Sequence, residues 1–316
     1  MLWAMMMRRL LFGLLTLFAI SVLVFVGTEI LPGDVAQAVL GQSATAETIA
    51  ALRERLGLDQ PAPLRYLAWI AGVLQGDLGV SLASDRPIAA MISSRLGNTF
   101  MLAGIAALIV VPLSLILGLL AATRPRSLID RAVSHLTLMS VSAPEFLIAT
   151  LLVMLFAVHL NWLPAISNIS SADDIGALAR SIALPVLTLS LMVLAPMTRM
   201  TRNSVLSVLG SPAIETAILK GLSRRRIVLF HALPNAIAPI VNIIAMNLAY
   251  LVSGVVVVEV VFSFPGLAKL MVDAVGTRDL PLVQACALIF CSVYVLMNIF
   301  ADVISVLANP KLRRSA

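Results

Sequence analysis

Charge is what this chain of 316 residues has least of. Asp, Glu, Lys and Arg together make up 12%, about half the share usual in soluble proteins. That shortage excludes a fold whose whole surface faces water. Cysteine is scarcer still: Cys286 and Cys291 lie five apart in one apolar run. On a helix they diverge by about 140°, which excludes a disulfide or a shared metal site between them. His135, His159 and His231 stand far apart with no cysteine or acid at ligand spacing, so no metal site is expected. No Ser/His/Asp or Cys/His set sits on a nucleophile turn, and no Gly-x4-Gly-Lys-Ser/Thr loop is present. The chain therefore shows no catalytic residues, no cofactor site and no phosphate-cradling loop with which to hydrolyse ATP. Basic residues outnumber acidic ones, 22 to 16, but without an aromatic-interleaved basic face, so nucleic acid is not an expected partner.

What is there is hydrocarbon, at 60% of residues. A bilayer core of about 30 Å takes about 20 helical residues, and six runs qualify: Leu10–Leu31, Thr99–Ala122, Leu136–Leu160, Ile182–Met197, Ala236–Phe262 and Val283–Leu307. The expected fold is an all-α polytopic membrane protein with six transmembrane helices, one membrane domain over residues 1–316. The first run follows Arg8 and Arg9 like a signal peptide, but it is longer than the roughly 7–15 apolar residues of such a signal. It reads as an uncleaved anchor.

Cations set the orientation. With the N-terminus inside, the inner segments hold Arg8, Arg9, Arg124, Arg126, Arg131, Arg199, Arg202, Lys220, Arg224, Arg225, Arg226, Lys311, Arg313 and Arg314. The longer outer loops hold only eight. Acids lean the other way, with Asp130 and Glu215 inside and ten outside. Both termini are expected in the cytoplasm, and basic inner segments against lipid headgroups.

Two connections are too long for turns. The external one, residues 32–98, predicts a helix capped by Thr45 and stopped at Gly57, then a second from Ala62 to Leu74 whose Tyr66 and Trp69 suit the headgroup boundary. It reads either as a cap on the membrane or as a docking surface for an external protein. The internal one, residues 198–235, has a helix start at Ser211-Pro212, where the serine side chain can accept free N–H groups. Lys220-Gly221 is a helix stop, and a new helix is expected from Ser223 towards Leu233. That predicts two short helices hinged on Gly221. Arg224, Arg225 and Arg226 oppose the macrodipole of the second helix, so they serve either lipid headgroups or an acidic groove on a partner.

Glu215-Thr216-Ala217, then Gly221, then Leu233-Pro234 resembles the EAA loop of binding-protein-dependent ABC transporter permeases. The resemblance extends in order over nearly the whole chain and narrows to the B-type subunit of the dipeptide/oligopeptide/nickel family. It runs through Leu31-Pro32-Gly33-Asp34, Gly57-Leu58-Asp59-Gln60-Pro61, Gly76-Asp77-Leu78-Gly79, Trp162-Leu163-Pro164, Lys220-Gly221-Leu222-Ser223 and His231-Ala232-Leu233. It continues through Glu259, Phe262, Pro265-Gly266, Arg278-Asp279, Pro281, Asn298, Asp302 and Asn309-Pro310-Lys311. The departures are Pro212-Ala213-Ile214 for Asp-Tyr-Val, Ile218 and Pro234 for Arg, and Asn309 for Asp.

That resemblance implies a type I ABC importer permease in a bacterial inner membrane. It also implies a second permease subunit, two cytoplasmic ATP-binding subunits and an external solute-binding protein. Glu215, Ala217, Lys220, Gly221, Ser223, Arg224, Arg225 and Arg226 are then the ATPase-coupling residues, and peptides the implied cargo, with nickel or another small solute as the alternative. An ion-coupled carrier would show paired intramembrane charges and inverted repeats, and neither is evident. Of the polar residues in the apolar runs, Glu29 and Asp302 lie near span ends. Glu145, after the kink expected at Pro144, and Glu259 are candidates for the substrate path, with Asn247.

Overall fold

The computed structural model describes residues 2–30, 45–55, 59–169 and 174–308. The sequence motifs at Leu31–Asp34, Gly57-Leu58 and Asn309–Lys311, and the side chains of Arg224 and Arg225, lie outside the described residues.

Nearly every described residue is helical, as hydrocarbon requires when no water is present to satisfy backbone N–H and C=O groups. In order come α1 (Leu2–Ile30), α2 (Ala46–Arg55), α3 (Ala62–Leu74), α4 (Ile88–Thr123), α5 (Leu128–Ser142) and α6 (Glu145–Leu152), which continues as a π-helical stretch over Val153–His159. Then follow α7 (Ile175–Leu209), α8 (Pro212–Leu219), α9 (Arg224–Ile227) with a π-helical stretch over Val228–Ala232, α10 (Leu233–Val261), α11 (Leu267–Gly276) and α12 (Leu280–Ala308).

Among the described residues, five helical stretches are long and apolar enough to cross a membrane: Met6–Ile30, Ile88–Thr123, Ile175–Leu209, Val228–Val261 and Leu280–Ile304. Several outrun the expected apolar segments. At 1.5 Å per residue the 36 residues of α4 reach about 54 Å, well beyond a bilayer core. The run Leu136–Leu160 is not one helix. Ser142 ends α5, Pro144 is extended at φ −60° and ψ 144°, and α6 restarts at Glu145. The proline cannot donate to a ladder, and it pushes the residue before it out of the helical region.

The chain forms two compact units. The first comprises Met1–Leu10, Phe100–Phe264 and Leu296–Ala316. Its core is built from Leu102, Ala106 and Val110 of α4, Leu189, Val193 and Met197 of α7, and Leu251, Val255 and Val258 of α10. Small residues set the approach of α4 to α7. A Cβ on Gly118 would lie 2.8 Å from Thr201 Cβ and 2.9 Å from the Thr198 carbonyl, so only glycine fits there. In the same unit, the Arg9 guanidinium pairs with Asp302, which gives both charges a partner near the helix ends.

The second unit comprises Leu11–Thr99 and Pro265–Val295. Thr45 opens α2 with a reciprocal cap: Thr48 N–H donates to Thr45 Oγ1 at 3.2 Å and Thr45 N–H to Thr48 Oγ1 at 2.9 Å. Helix α3 has the expected bounds, and its aromatics pack on α1. Tyr66 meets Phe25 edge-on at 5.4 Å and its hydroxyl bonds Ser21 Oγ at 2.8 Å, while Trp69 stacks on Phe25 at 6.2 Å. Glu29, near the end of α1, is held by Arg65 at 2.5 Å. Asp279, fully buried, organises the rest: it accepts from Ser81 Oγ, from Leu82 N–H at 3.1 Å and from Leu282 N–H at 3.4 Å in the first turn of α12. One carboxylate thus fixes a loop and caps a helix.

The close approach of α4 and α7 predicts that Gly118→Ala destabilises the protein by about 1–3 kcal/mol. Gly104→Ala, where a Cβ meets nothing within 4 Å, should be neutral or slightly stabilising. Thermal melting of the two variants in the same detergent separates them.

Candidate functional site

Helix α7 ends at Gly210, and the chain turns into α8 through Ser211, extended at φ −79° and ψ 151°, with Pro212 in the first turn. The expected serine cap is not made. No side-chain hydrogen bond leaves Ser211 for the helix; its backbone carbonyl takes the N–H groups of Ile214 at 3.0 Å and Glu215 at 3.2 Å instead. The proline already fixes the first φ, so the hydroxyl is not needed.

The far end of α8 closes with a pair of backbone bonds. Gly221 N–H donates to the Ile218 carbonyl at 2.9 Å and Leu222 N–H to the Ala217 carbonyl at 3.3 Å, the Schellman arrangement. It needs a left-handed residue, and Gly221 has φ +74°. No atom lies within 4 Å of where its Cβ would be, so the requirement for glycine is conformational rather than steric.

Burial divides the α8 residues sharply. Ile214 and Ala217 turn inward onto Ile227 and Ala232, with Val208, Leu209 and Leu222 around them. Glu215, Lys220, Gly221, Ser223 and Arg226 face outward. Beside them Ile218 is 58% and Leu219 82% exposed, and Phe230 is 71% exposed on the adjoining π-helical stretch. Sequence reading passed over Leu219 and Phe230 and noted Ile218 only as a departure from the family pattern. Their signal was an apolar residue on the outward side of a helix with charged flanks.

The separate second helix is not observed. From Arg224 the backbone stays helical through the π-helical stretch into α10, with Leu233 at φ −61° and ψ −46°. Pro234 has no N–H for the Phe230 carbonyl, and its ring crowds that position. The widening over Val228–Ala232 falls on this turn. The first part of the segment 198–235 is a continuation of α7, which stays helical to Leu209.

The three polar residues expected along the path are not gathered in one place. Tyr250 Oη on α10 donates to Glu145 Oε1 at the start of α6, at 2.6 Å, with both residues partly exposed. Asn247 lies three residues from Tyr250 on α10, but its Nδ2 donates back to the Ile243 carbonyl at 2.8 Å rather than to another helix. Glu259 is twelve residues farther on, about 18 Å along the helix axis, and completely buried. It offers no surface to a solute in this conformation.

A further charged contact escaped the sequence reading, because its partners are 72 residues apart. Arg202 on α7 embraces Asp130 on α5, Nε to Oδ1 and Nη2 to Oδ2 at 3.0 Å. The Arg126 N–H also donates to Oδ2 at 2.8 Å. The Arg202 hydrogen bond, helped by Arg126, holds the Asp130 carboxyl below its ordinary range despite burial. A depressed value means that the pair's stabilisation is complete at neutral pH and is lost only as acid protonates Asp130.

Residues 114–314 match the binding-protein-dependent transport system inner membrane component, and residues 1–103 match the N-terminal membrane component of the same systems. This chain belongs to that family. It is 34% identical over 97% of its length to a probable peptide ABC transporter permease protein, y4tP, of Sinorhizobium fredii, covering 98% of that protein. It is 38% identical to the glutathione transport system permease protein GsiC of Escherichia coli strain K12, covering 97% of each chain. A solved structure of the MetNI methionine ABC transporter in inward-facing conformations is 20% identical over 68% of this chain and 93% of that one, with a TM-score of 0.47. The chain is thus the membrane-spanning subunit of an ABC importer, a multi-pass protein of the inner membrane. Its family works with ATPase, solute-binding and further permease partners, and its own role is that of permease rather than ATPase.

The glycine requirement at 221 generates a paired prediction. Gly221→Ala should strain the turn by about 1–2 kcal/mol, whereas Gly221→Asn, whose side chain tolerates the left-handed region, should cost less. Limited proteolysis of the loop should run faster in the alanine variant than in the asparagine variant or the wild type.

Proposed function

We propose that this chain is one half of a peptide-importing channel whose residues 210–227 dock on a cytoplasmic ATP-binding subunit. The observation that carries the docking is the outward exposure of the apolar Ile218 and Leu219 on α8, with the exposed Glu215, Lys220, Ser223 and Arg226 before and after them. An apolar centre with a charged rim is the anatomy of a protein interface. Ile214 and Ala217 anchor the back of α8, so a push on its exposed face reaches α7 and α10 together. Glu215, Ala217, Lys220, Gly221, Ser223 and the arginines 224–226 act as the coupling set, and both termini lie in the cytoplasm.

Two such ATPases, one under this chain and one under a second permease subunit, complete the engine, and an external solute-binding protein feeds it over residues 32–98. The cargo assignment to peptides draws on the relatives named for peptide and glutathione transport. Glu145 and Tyr250 mark the wall of the path: a partly exposed carboxylate cannot face lipid at low cost, so this face turns to the partner or to water. Asn247 sits one turn away on the same helix.

In a strain lacking this chain, uptake of labelled di- and oligopeptides should fall and return only when the intact chain is restored, with nickel uptake unchanged. Loss of nickel uptake alone would overturn the peptide assignment. Leu219→Asp should weaken co-purification of the ATPase about tenfold or more while the protein stays in the membrane. Unchanged recovery would remove α8 as the docking element. Arg226→Glu asks the same of the arginine run, and ATPase recovery at the wild-type level would assign that residue to lipid.

A further inference from the structure

We propose that Asp130 and Arg202 are positioning residues for transport, tying the helix that leads into α8 to the broken helix that carries Glu145. This rests on α8 being the coupling element.

The last turn of α7, Val208 and Leu209, packs with Ile214 and Ala217 of α8, so the two move together. Arg202 lies seven residues before Leu209, about 10 Å up the helix. There it grips Asp130, which is 5% exposed and also holds the Arg126 N–H. Arg126 has φ +64° in the tight turn between α4 and α5. A single carboxylate therefore joins α7, the first turn of α5 and the turn before it.

A second contact fixes the register. Thr137 Oγ1 donates to the Ala195 carbonyl at 3.1 Å. From Asp130 to Thr137 is seven residues forward on α5, and from Arg202 to Ala195 is seven residues back on α7. The two helices are antiparallel and pinned at two points two turns apart, so neither can slide or roll without breaking both. Beside Arg202, Thr201 is the residue against which Gly118 packs, which holds α4 to the same part of α7.

Apolar residues would hold α5 to α7 without the desolvation that a buried ion pair carries. What the two-pronged pair adds is direction, since a guanidinium meets a carboxylate in one geometry. A displacement of α8 is carried through α7 into α5, and α5 ends at Ser142, directly before the Pro144 break and Glu145. The pair thereby sets where Glu145 and Tyr250 stand when the ATPases close.

The test uses the whole transporter, with its ATPases and binding protein, in proteoliposomes, and reads solute imported per ATP hydrolysed. Asp130→Asn and Arg202→Gln should each lower that ratio about fivefold or more while hydrolysis continues, and the double variant should be no worse than the worse single one, because both remove the same link. Arg202→Lys, with charge but no fork, should fall between. Thr137→Val keeps every charge and should shift the ratio the same way by less, which covers the case in which the charge variants fail to assemble. Transport and hydrolysis falling together at an unchanged ratio would reduce the pair to a structural role and overturn the proposal. A wild-type complex that hydrolyses ATP and imports nothing would instead remove the importer reading on which it rests.

Discussion

Every peptide group placed in hydrocarbon must find its hydrogen-bond partner within the protein, and this single demand shapes the rest of the structure. It makes the chain helical almost throughout. It also explains the behaviour of the polar side chains inside the helices. Ser114, Thr188, Thr198 and Asn247 all donate to carbonyls three or four residues back on their own helix. That satisfies the side chain without needing a neighbour. Where the helical ladder does break, a replacement stands nearby: the glycine turn after α8, the widened turn before Pro234, and the Asp279 carboxylate between α11 and α12.

Lipid supplies no hydrophobic drive between helices, so packing there depends on fit and on a few polar pairs. Helix α1 shows the outer surface that results, with Leu11, Leu14, Leu15, Phe18 and Leu23 exposed along it. Inside, small residues let backbones approach, and the charged groups are placed where a partner is within reach. Glu29 and Asp302, near helix ends, each meet an arginine. Asp130 meets one below the surface.

Much of this was legible in local sequence. The bounds of α3 and the stop at Lys220-Gly221 follow from cap and turn chemistry, because those signals act within a few residues. The family followed from ordered motifs spread over the whole chain. Local signals failed where two of them competed. Ser211 carries the capping hydroxyl, yet Pro212 had already set the helix start. Ser223 could open a helix, but nothing at Pro234 was strong enough to end it, and the widened turn absorbed the proline. Pairings between distant residues were not legible at all. Asp130 was one of two acids in a charge count, and only the antiparallel packing of α5 on α7 shows what it holds.

The merging of the second short helix with α10 changes the mechanics of the loop. From Val228 to Val261 there are 34 residues of continuous helix, a shaft of about 51 Å. A hinged pair of helices would have turned a partner's movement into bending at two joints. With the chain reversed at Gly221 and helical from Arg224 on, the places where this shaft can bend are the widened turn over Val228–Ala232 and Pro239, both in the half nearer the loop, and the stretch from Ile240 to Val261 is left as one stiff piece.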